Sequence, residues 1–304
     1  MMWPGLMLLA IHGAAFDGGT VYTWGDRLLA WTLPKLNHRE LARPEAPFGA
    51  GGCLDDEKTG LFLQEGSRLV YRKAPDWKAR VLDISIDMHD CLAVTLLGHR
   101  GVLMVQRGIE LRFYEYPDFA YRTLYSFYSA SRQGGLLIAD VNGDGLPDIL
   151  CGNYWIRNAG EWDLPWHDFA IELYNQEPLS ATLRLALDGA DLIVAQGELP
   201  NGRVSRFRKP PDPRQLWMEE PLGVFRYPRA LAVVASTRPK RNRDRQEADA
   251  GQSFSDSPSN VRVLTRAVPN GRSVLIGEDN VSAFPHQDGY LLVTHTRVVY
   301  FPLR

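Results

Sequence analysis

A short apolar run followed by proline recurs along the chain. RLLAWTLP ends at Pro34, SRLVYRKAP at Pro75, IELRFYEYP at Pro117, RVSRFRKP at Pro210 and TRVVYFP at Pro302. The first two intervals are 41 and 42 residues, and the third, 93, is two units with Pro165 near the missing midpoint. A weaker copy, VRVLTRAVP, ends at Pro269 and brings the count to seven. A second run precedes each of these: TVYTW at 20, GLFLQ at 60, GVLMV at 101, DILCG at 148, DLIVA at 191, LAVVA at 231 and YLLVT at 290. Both kinds of run are short, rich in branched and aromatic residues, and bounded by Gly, Asp or Pro, which is how strands read. After the proline comes a third run that carries an aromatic, as in DWKARVL at 76, DFAYRTL at 118, WHDFAI at 166 and LWMEEPL at 216.

A repeat of 40 to 46 residues holding four short strands is the arithmetic of a β-propeller blade. The chain is therefore expected to be all-β: one propeller domain over residues 1–304, seven-bladed, with six as the neighbouring count. An irregular β-sandwich also shows strands at this spacing, but it gives no reason for the fixed order of runs. The final unit, residues 270–304, is shorter than the others and is expected to be a truncated blade. Residues 238–260, charge-rich and almost without apolar side chains, cannot bury enough surface to order themselves and are read as a flexible insertion in the sixth blade.

Residues 1–15 have two readings. The apolar stretch Gly5–Gly13 suits a strand that closes the ring beside Val298–Pro302; it also suits a signal peptide, although the basic start of such signals is missing. The net charge of −2 and pI of 6.4 provide no field for nucleic acid. No stretch reaches the ~20 apolar residues of a membrane span. The three cysteines, Cys53, Cys91 and Cys151, are odd in number and have no metal-ligand spacing, so buried thiols are expected rather than a disulfide framework.

One segment carries chemistry. Residues 136–151 read LLIADVNGDGLPDILC. Asp140, Asn142 and Asp144 stand at positions 1, 3 and 5 of a calcium loop, Gly145 makes the sharp turn, Leu146 presents its carbonyl at position 7, and Asp148 closes the shell at position 9. Position 12 is Cys151, not Glu, and a strand follows, so this is not an EF-hand. Three carboxylates this close repel one another unless a cation lies among them. The hard oxygen set favours calcium over zinc or copper, against the plainer reading of an Asp/Gly turn.

The segment 136–155, LLIADVNGDGLPDILCGNYW, resembles the FG-GAP/VCBS repeat, whose members build propellers with calcium between the first two strands of a blade, as in integrin α heads and some fungal lectins. The other copies are degenerate: Asp188-Gly189-Ala190-Asp191 is shortened, Asp55-Asp56-Glu57 lacks the glycine, and Asp288-Gly289 and Asp17-Gly18-Gly19 keep only a turn. Residues 147–222 also resemble the propellers of bacterial secreted proteins and of aldos-2-ulose dehydratase-like enzymes. That resemblance implies that Trp166 and Trp217 pack between blades.

No catalytic residue is nominated. None of the seven histidines shows the pairing of a helical zinc site, and no nucleophile elbow or phosphate loop occurs. Two functions follow as expectations. The first is a calcium-stabilised binding module, monomeric, taking a protein or glycan ligand, with a location outside the cytoplasm. The second is a sugar-lyase or dehydratase-like enzyme with a metal in the central funnel.

Overall fold

In the computed structural model, residues 10–107, 109–127, 134–172, 183–197, 199–235, 262–268, 272–278, 282–286, 289–295 and 298–302 are described. They form seven antiparallel sheets in chain order. The first holds β1 (Ile11–Phe16), β2 (Thr20–Gly25), β3 (Leu28–Thr32) and β4 (Asn37–Ala42), and the second β5 (Phe48–Leu54), β6 (Gly60–Glu65), β7 (Arg68–Lys73) and β8 (Ala79–Ile84). The third holds β9 (Met88–Leu96), β10 (His99–Gln106), β11 (Glu110–Glu115) and β12 (Tyr121–Ser126), and the fourth β13 (Leu136–Ala139), β14 (Asp148–Cys151), β15 (Tyr154–Arg157) and β16 (His167–Ala170). The fifth is β17 (Leu183–Asp188), β18 (Asp191–Gln196), β19 (Gly202–Arg208) and β20 (Met218–Phe225). Two three-stranded sheets follow: β21 (Pro228–Ala235), β22 (Arg262–Val268) and β23 (Arg272–Glu278), then β24 (Ser282–His286), β25 (Gly289–Val293) and β26 (Val298–Pro302). The first strand of each sheet touches the first strand of the next, and β24 touches β1, so the sheets close a propeller ring.

Burial explains why the second strands stand out as apolar runs. Val21–Gly25 of β2, Gly60–Leu63 of β6 and all of β14 are buried, as is β18 after its first residue. Each is covered on both faces by neighbouring sheets, so no side chain along it needs to be polar. The fourth strands face water: β4 and β8 are mostly exposed, and the polar residues of β4 blunt its unpaired edge.

The prolines have a structural counterpart. In the first three sheets the peptides Leu33–Pro34, Ala74–Pro75 and Tyr116–Pro117 are cis, and two residues on the backbone turns to positive φ at Leu36, Trp77 and Phe119. That turn, between the third and fourth strands, aims an apolar side chain at the preceding sheet. Trp77 joins the core formed with Tyr22, Trp24 and Phe48, while Phe119 packs on Phe62 and Tyr71. Trp166 and Trp217 fill the same role in the fourth and fifth sheets, buried in the cores shared with the sheets before them. They pack between blades, as the resemblance implied.

Several expectations are corrected. Cys53 and Cys91 form a disulfide, and the free buried cysteine is Cys151. The partners are 38 residues apart in sequence, but they lie on the first strands of adjacent sheets with Cα atoms 5.6 Å apart. A spacing rule applied along the chain does not register such lateral neighbours. Within the sixth sheet, LAVVA belongs to the inner strand β21, and VRVLTRAVP supplies β22, paired only with β23. The middle strand there is β23, which the repeat reading passed over. The last sheet has three described strands, in keeping with a short final unit.

The N-terminal segment is also placed differently where it is described. Ile11–Gly13 begins β1 and pairs with β2, not with Val298–Pro302. Its link to the last sheet runs through His295, whose carbonyl accepts the Ile11 N–H at 2.8 Å and whose ring Nδ1 lies 3.1 Å from the Ile11 carbonyl. Leu291, Val293 and Val298 complete this junction against Ile11, Val21, Leu29 and Trp31. Residues 5–9 and the 238–260 insertion lie outside the described residues.

Candidate functional site

In the five four-stranded sheets, antiparallel order puts the turns between first and second strands, and those between third and fourth, at one end. The acidic turns at residues 17–19, 55–59, 140–147 and 188–191 therefore share one face of the ring.

In the fourth sheet, residues 140–147 link β13 to β14. The Asp140 carboxylate accepts backbone N–H groups from Gly143 at 2.7 Å, Asp144 at 3.1 Å and Gly145 at 2.9 Å. Gly145 has φ +83°, a conformation that glycine adopts without steric cost. Asn142 donates from Nδ2 to Asp144 at 2.6 Å and accepts the Asp144 N–H at 3.0 Å. The Asn142 amide, followed by the Leu146 N–H, holds the Asp144 carboxyl below its usual range. Asp148 sits at the base of the loop, fully buried, with its oxygens accepting the N–H groups of Val141 at 3.0 Å and Asn158 at 2.8 Å. Burial pushes its pKa up against those two donors. Asp148 thus braces the loop on the next turn, while Asp140 and Asp144 stand on the exposed part.

The degenerate copies differ in their counter-charges. In the fifth sheet the buried Arg206 reaches Asp191 at 2.6 Å and Asp188 at 3.4 Å. In the second sheet, Arg100 of the neighbouring sheet binds Asp56 through Nε at 2.9 Å, and Lys73 binds Glu57 at 2.9 Å. At the complete loop, Arg157 comes no nearer to Asp144 than 3.7 Å and its side chain is 51% exposed. Lys209 reaches in from the fifth sheet, but to the Val141 carbonyl at 2.9 Å, not to a carboxylate. The oxygen-only donors of residues 140–148 thus suit a hard cation, and their negative charge is less compensated than in either shortened copy. Among the described residues no three His, Cys, Asp or Glu side chains gather as a metal cluster, so any ion there would also rely on Asn142 and on main-chain carbonyl oxygen.

The same face holds a cleft of about 270 Å³ between the second and third sheets. Its floor carries Asp55, whose carboxylate accepts the Thr59 N–H at 2.7 Å and the Tyr71 hydroxyl at 2.7 Å. Gly60 permits this: a Cβ there would stand 2.6 Å from the Tyr71 hydroxyl. The ion pairs Asp56–Arg100 and Glu57–Lys73 flank the mouth, and Tyr116, Pro117 and Phe119 form one wall. Burial, followed by the charges of Asp56 and Asp55, keeps the Tyr116 phenol protonated far above its ordinary range.

Sequence reasoning named Asp55, Asp56 and Glu57 but missed Arg100, Tyr116 and Arg206. Arg100 and Tyr116 come from the neighbouring sheet, at 44 and 60 residues' remove from Asp56, where no motif spacing reaches. Arg206 sits in the run-proline element RVSRFRKP; a charge inside an otherwise buried strand was the available signal.

No protein-family model matches the chain, and no curated protein matches it. Solved structures do. The extracellular domain of a protein described as a hybrid two-component system from B. thetaiotaomicron aligns with TM-score 0.55 and 10% identity over 98% of this chain and 39% of that one. A structure described as the extracellular domain of a one-component system from the same organism gives TM-score 0.51 and 11% identity over 99% of this chain and 33% of that one. A Bacteroides thetaiotaomicron protein of unknown function gives TM-score 0.50 and 10% identity over 97% and 70%. The chain thus spans between a third and two fifths of the two extracellular domains. At these identities the likeness concerns the fold.

Proposed function

We propose that this chain is a calcium-stabilised β-propeller that works as a binding module for a protein or glycan ligand outside the cytoplasm. The observation that carries the calcium half is the difference between copies. Where the loop pattern is incomplete, Arg206, or Arg100 with Lys73, neutralises the acids; the complete loop has no such close pair. Asp140, Asn142, Asp144, the Leu146 carbonyl and Asp148 would hold the ion, which would offset carboxylate repulsion and fix the turn that delivers β14. Two findings support the binding half and the location. The propellers with the same fold in solved structures are described as extracellular domains, and disulfides such as Cys53–Cys91 persist in oxidising compartments. Among the described residues no helix is long and apolar enough to cross a membrane.

Thermal melts in calcium and in chelator test the ion. Calcium at 100 times its Kd should add about 2.7 kcal/mol of stability, and Asp144→Ala should remove that increment. Equal melting temperatures in calcium and chelator for the unmutated protein would reduce the loop to a turn. A glycan and secreted-protein array, probed in calcium and again in chelator, tests the binding role; no retained ligand under either condition would refute it.

A further inference from the structure

We propose that the end of the axial channel away from the acidic turns binds a small zwitterion, with Arg184 taking its carboxylate and Asp90 its ammonium group. The site lies apart from the 140–148 loop and goes beyond the binding-module reading, because it adds a ligand of another class at another place.

Topology supplies the position. In the first five sheets each first strand runs towards the face that carries the acidic turns, so its start lies at the opposite end of the ring. Asp90 stands near the start of β9 and Arg184 near the start of β17, on the third and fifth sheets. Between them β13 of the fourth sheet touches both strands. The approach to β13 is tight against β17: a Cβ on Gly135 would stand 2.8 Å from the Leu183 carbonyl and 2.9 Å from the Leu185 side chain. The next residue, Leu136, donates its N–H to Asp90 at 3.0 Å. One short segment therefore separates the two charges. Both side chains are only partly buried, whereas β10 and β18 behind them are buried over most of their length. His12 of β1 and Ala50 of β5, in the first halves of their own inner strands, are exposed, so water reaches this end of the channel.

The charges select the class. Asp90 accepts the N–H groups of Cys91 at 2.9 Å and Leu136 at 3.0 Å. Arg184 donates from Nε to the Arg229 carbonyl at 3.1 Å, and among the described residues its two terminal nitrogens have no hydrogen bond. Among the same residues neither Asp90 nor Arg184 forms an ion pair. Burial pushes the Asp90 pKa up, and the Arg184 charge is the first of the influences that oppose it. The two charges thus act on each other across the channel without meeting. A simple anion on Arg184 would face the Asp90 carboxylate, and a simple cation on Asp90 would face the guanidinium. A neutral ligand would leave both charges shut from water and unpaired. A molecule with one carboxylate and one ammonium group satisfies both. The guanidinium fork matches a carboxylate in its plane, and the ammonium donates to carboxylate oxygens that the backbone has already fixed.

Titration calorimetry of the full chain with glycine, β-alanine and γ-aminobutyrate, beside acetate and ethylamine, reads the site. The three amino acids differ in the separation of their two charges. The expected result is that at least one of them binds roughly 10- to 100-fold more tightly than acetate or ethylamine, as one further charge-assisted hydrogen bond implies. Asp90→Asn should weaken that amino acid by a similar factor and leave acetate unchanged or tighter. Arg184→Met should weaken both the amino acid and acetate. Acetate or ethylamine binding as tightly as the best amino acid would overturn the ligand class. Amino-acid binding unchanged in both variants would place the ligand elsewhere and overturn the site. The unmutated protein decides even where a variant does not fold, because absence of binding to every probe would overturn the proposal. The array in calcium and chelator still decides the module reading separately: a macromolecular ligand found there without any amino-acid binding would uphold that reading and overturn this site.

Discussion

Arg72→Ala should destabilise the protein by about 3–5 kcal/mol, the cost of leaving one member of a buried ion pair alone. Arg72 donates to Glu65 at 2.7 Å, with side chains 7% and 0% exposed, and its other terminal nitrogen donates to the Trp77 carbonyl at 2.8 Å. One guanidinium therefore holds both a buried carboxylate and the turn that aims Trp77 into the core between the first two sheets. Glu65 also accepts the Glu45 N–H at 2.7 Å and an Arg68 contact at 3.2 Å. Arg68 is one-third exposed and offers partial relief, which places the expected value nearer 3 than 5. The double replacement Arg72→Met with Glu65→Leu should cost much less, because no charge remains buried. Urea unfolding with an unchanged m-value reads both. A cost below about 1 kcal/mol for the single variant would mean that Arg68 takes over the carboxylate.

The same pair sets a pH dependence. Burial raises the Glu65 pKa, but the Arg72 hydrogen bond, the Glu45 N–H and the two guanidinium charges outweigh it, so the folded value lies below the ordinary one. A carboxylate depressed on folding contributes stability that is present above its unfolded pKa and lost as pH falls through the folded one. Stability should therefore fall on acidification through the range below about pH 4.5. The Arg72→Met/Glu65→Leu protein should lose less over that interval.

Removal of the Cys53–Cys91 bridge should cost about 4 kcal/mol on a chain-entropy estimate for partners 38 residues apart. In a chain of 304 residues that corresponds to a fall of roughly 6 °C in melting temperature. The bridge joins β5 to β9, the inner strands of adjacent sheets, within the core that holds Phe62, Met88 and Phe119. Its main effect is on the unfolded chain, which loses the freedom to separate the two units. Cys53→Ala/Cys91→Ala and the reduced wild type should melt alike. Under denaturing conditions without reductant one thiol, Cys151, should react, and three should react after reduction. Three reactive thiols before reduction would refute the bridge.

The architecture was legible because a propeller repeats its burial. Strands β2, β6, β10, β14, β18 and β25 coincide with six of the seven apolar runs, each enclosed between sheets and free of any need for polar alternation. The seventh run, LAVVA, was assigned to the wrong strand position because a long insertion separates β21 from its neighbours. There the chain reaches the outer strand before the middle one, and an order read from repeats assumes the reverse. The acidic turns were legible for a related reason. A loop that folds side chains onto its own backbone must keep Asp, Asn and Gly at fixed local offsets, as Asp140, Asn142, Asp144 and Gly145 do.

What the sequence determined by itself was therefore local and periodic: the strand content, the repeat length, the propeller class, the proline turns with the apolar residue that follows them, and the loop at 140–148. The tertiary structure decided everything that passes between sheets. It joined Cys53 to Cys91, brought Arg100 to Asp56 across 44 residues, set Arg206 against Asp188 and Asp191, and closed the ring through Ile11 and His295. The reason is geometric. Contacts within a blade recur at offsets fixed by strand and turn length, whereas contacts between blades depend on how far each sheet is rotated about the ring axis, and no short pattern in the chain records that rotation.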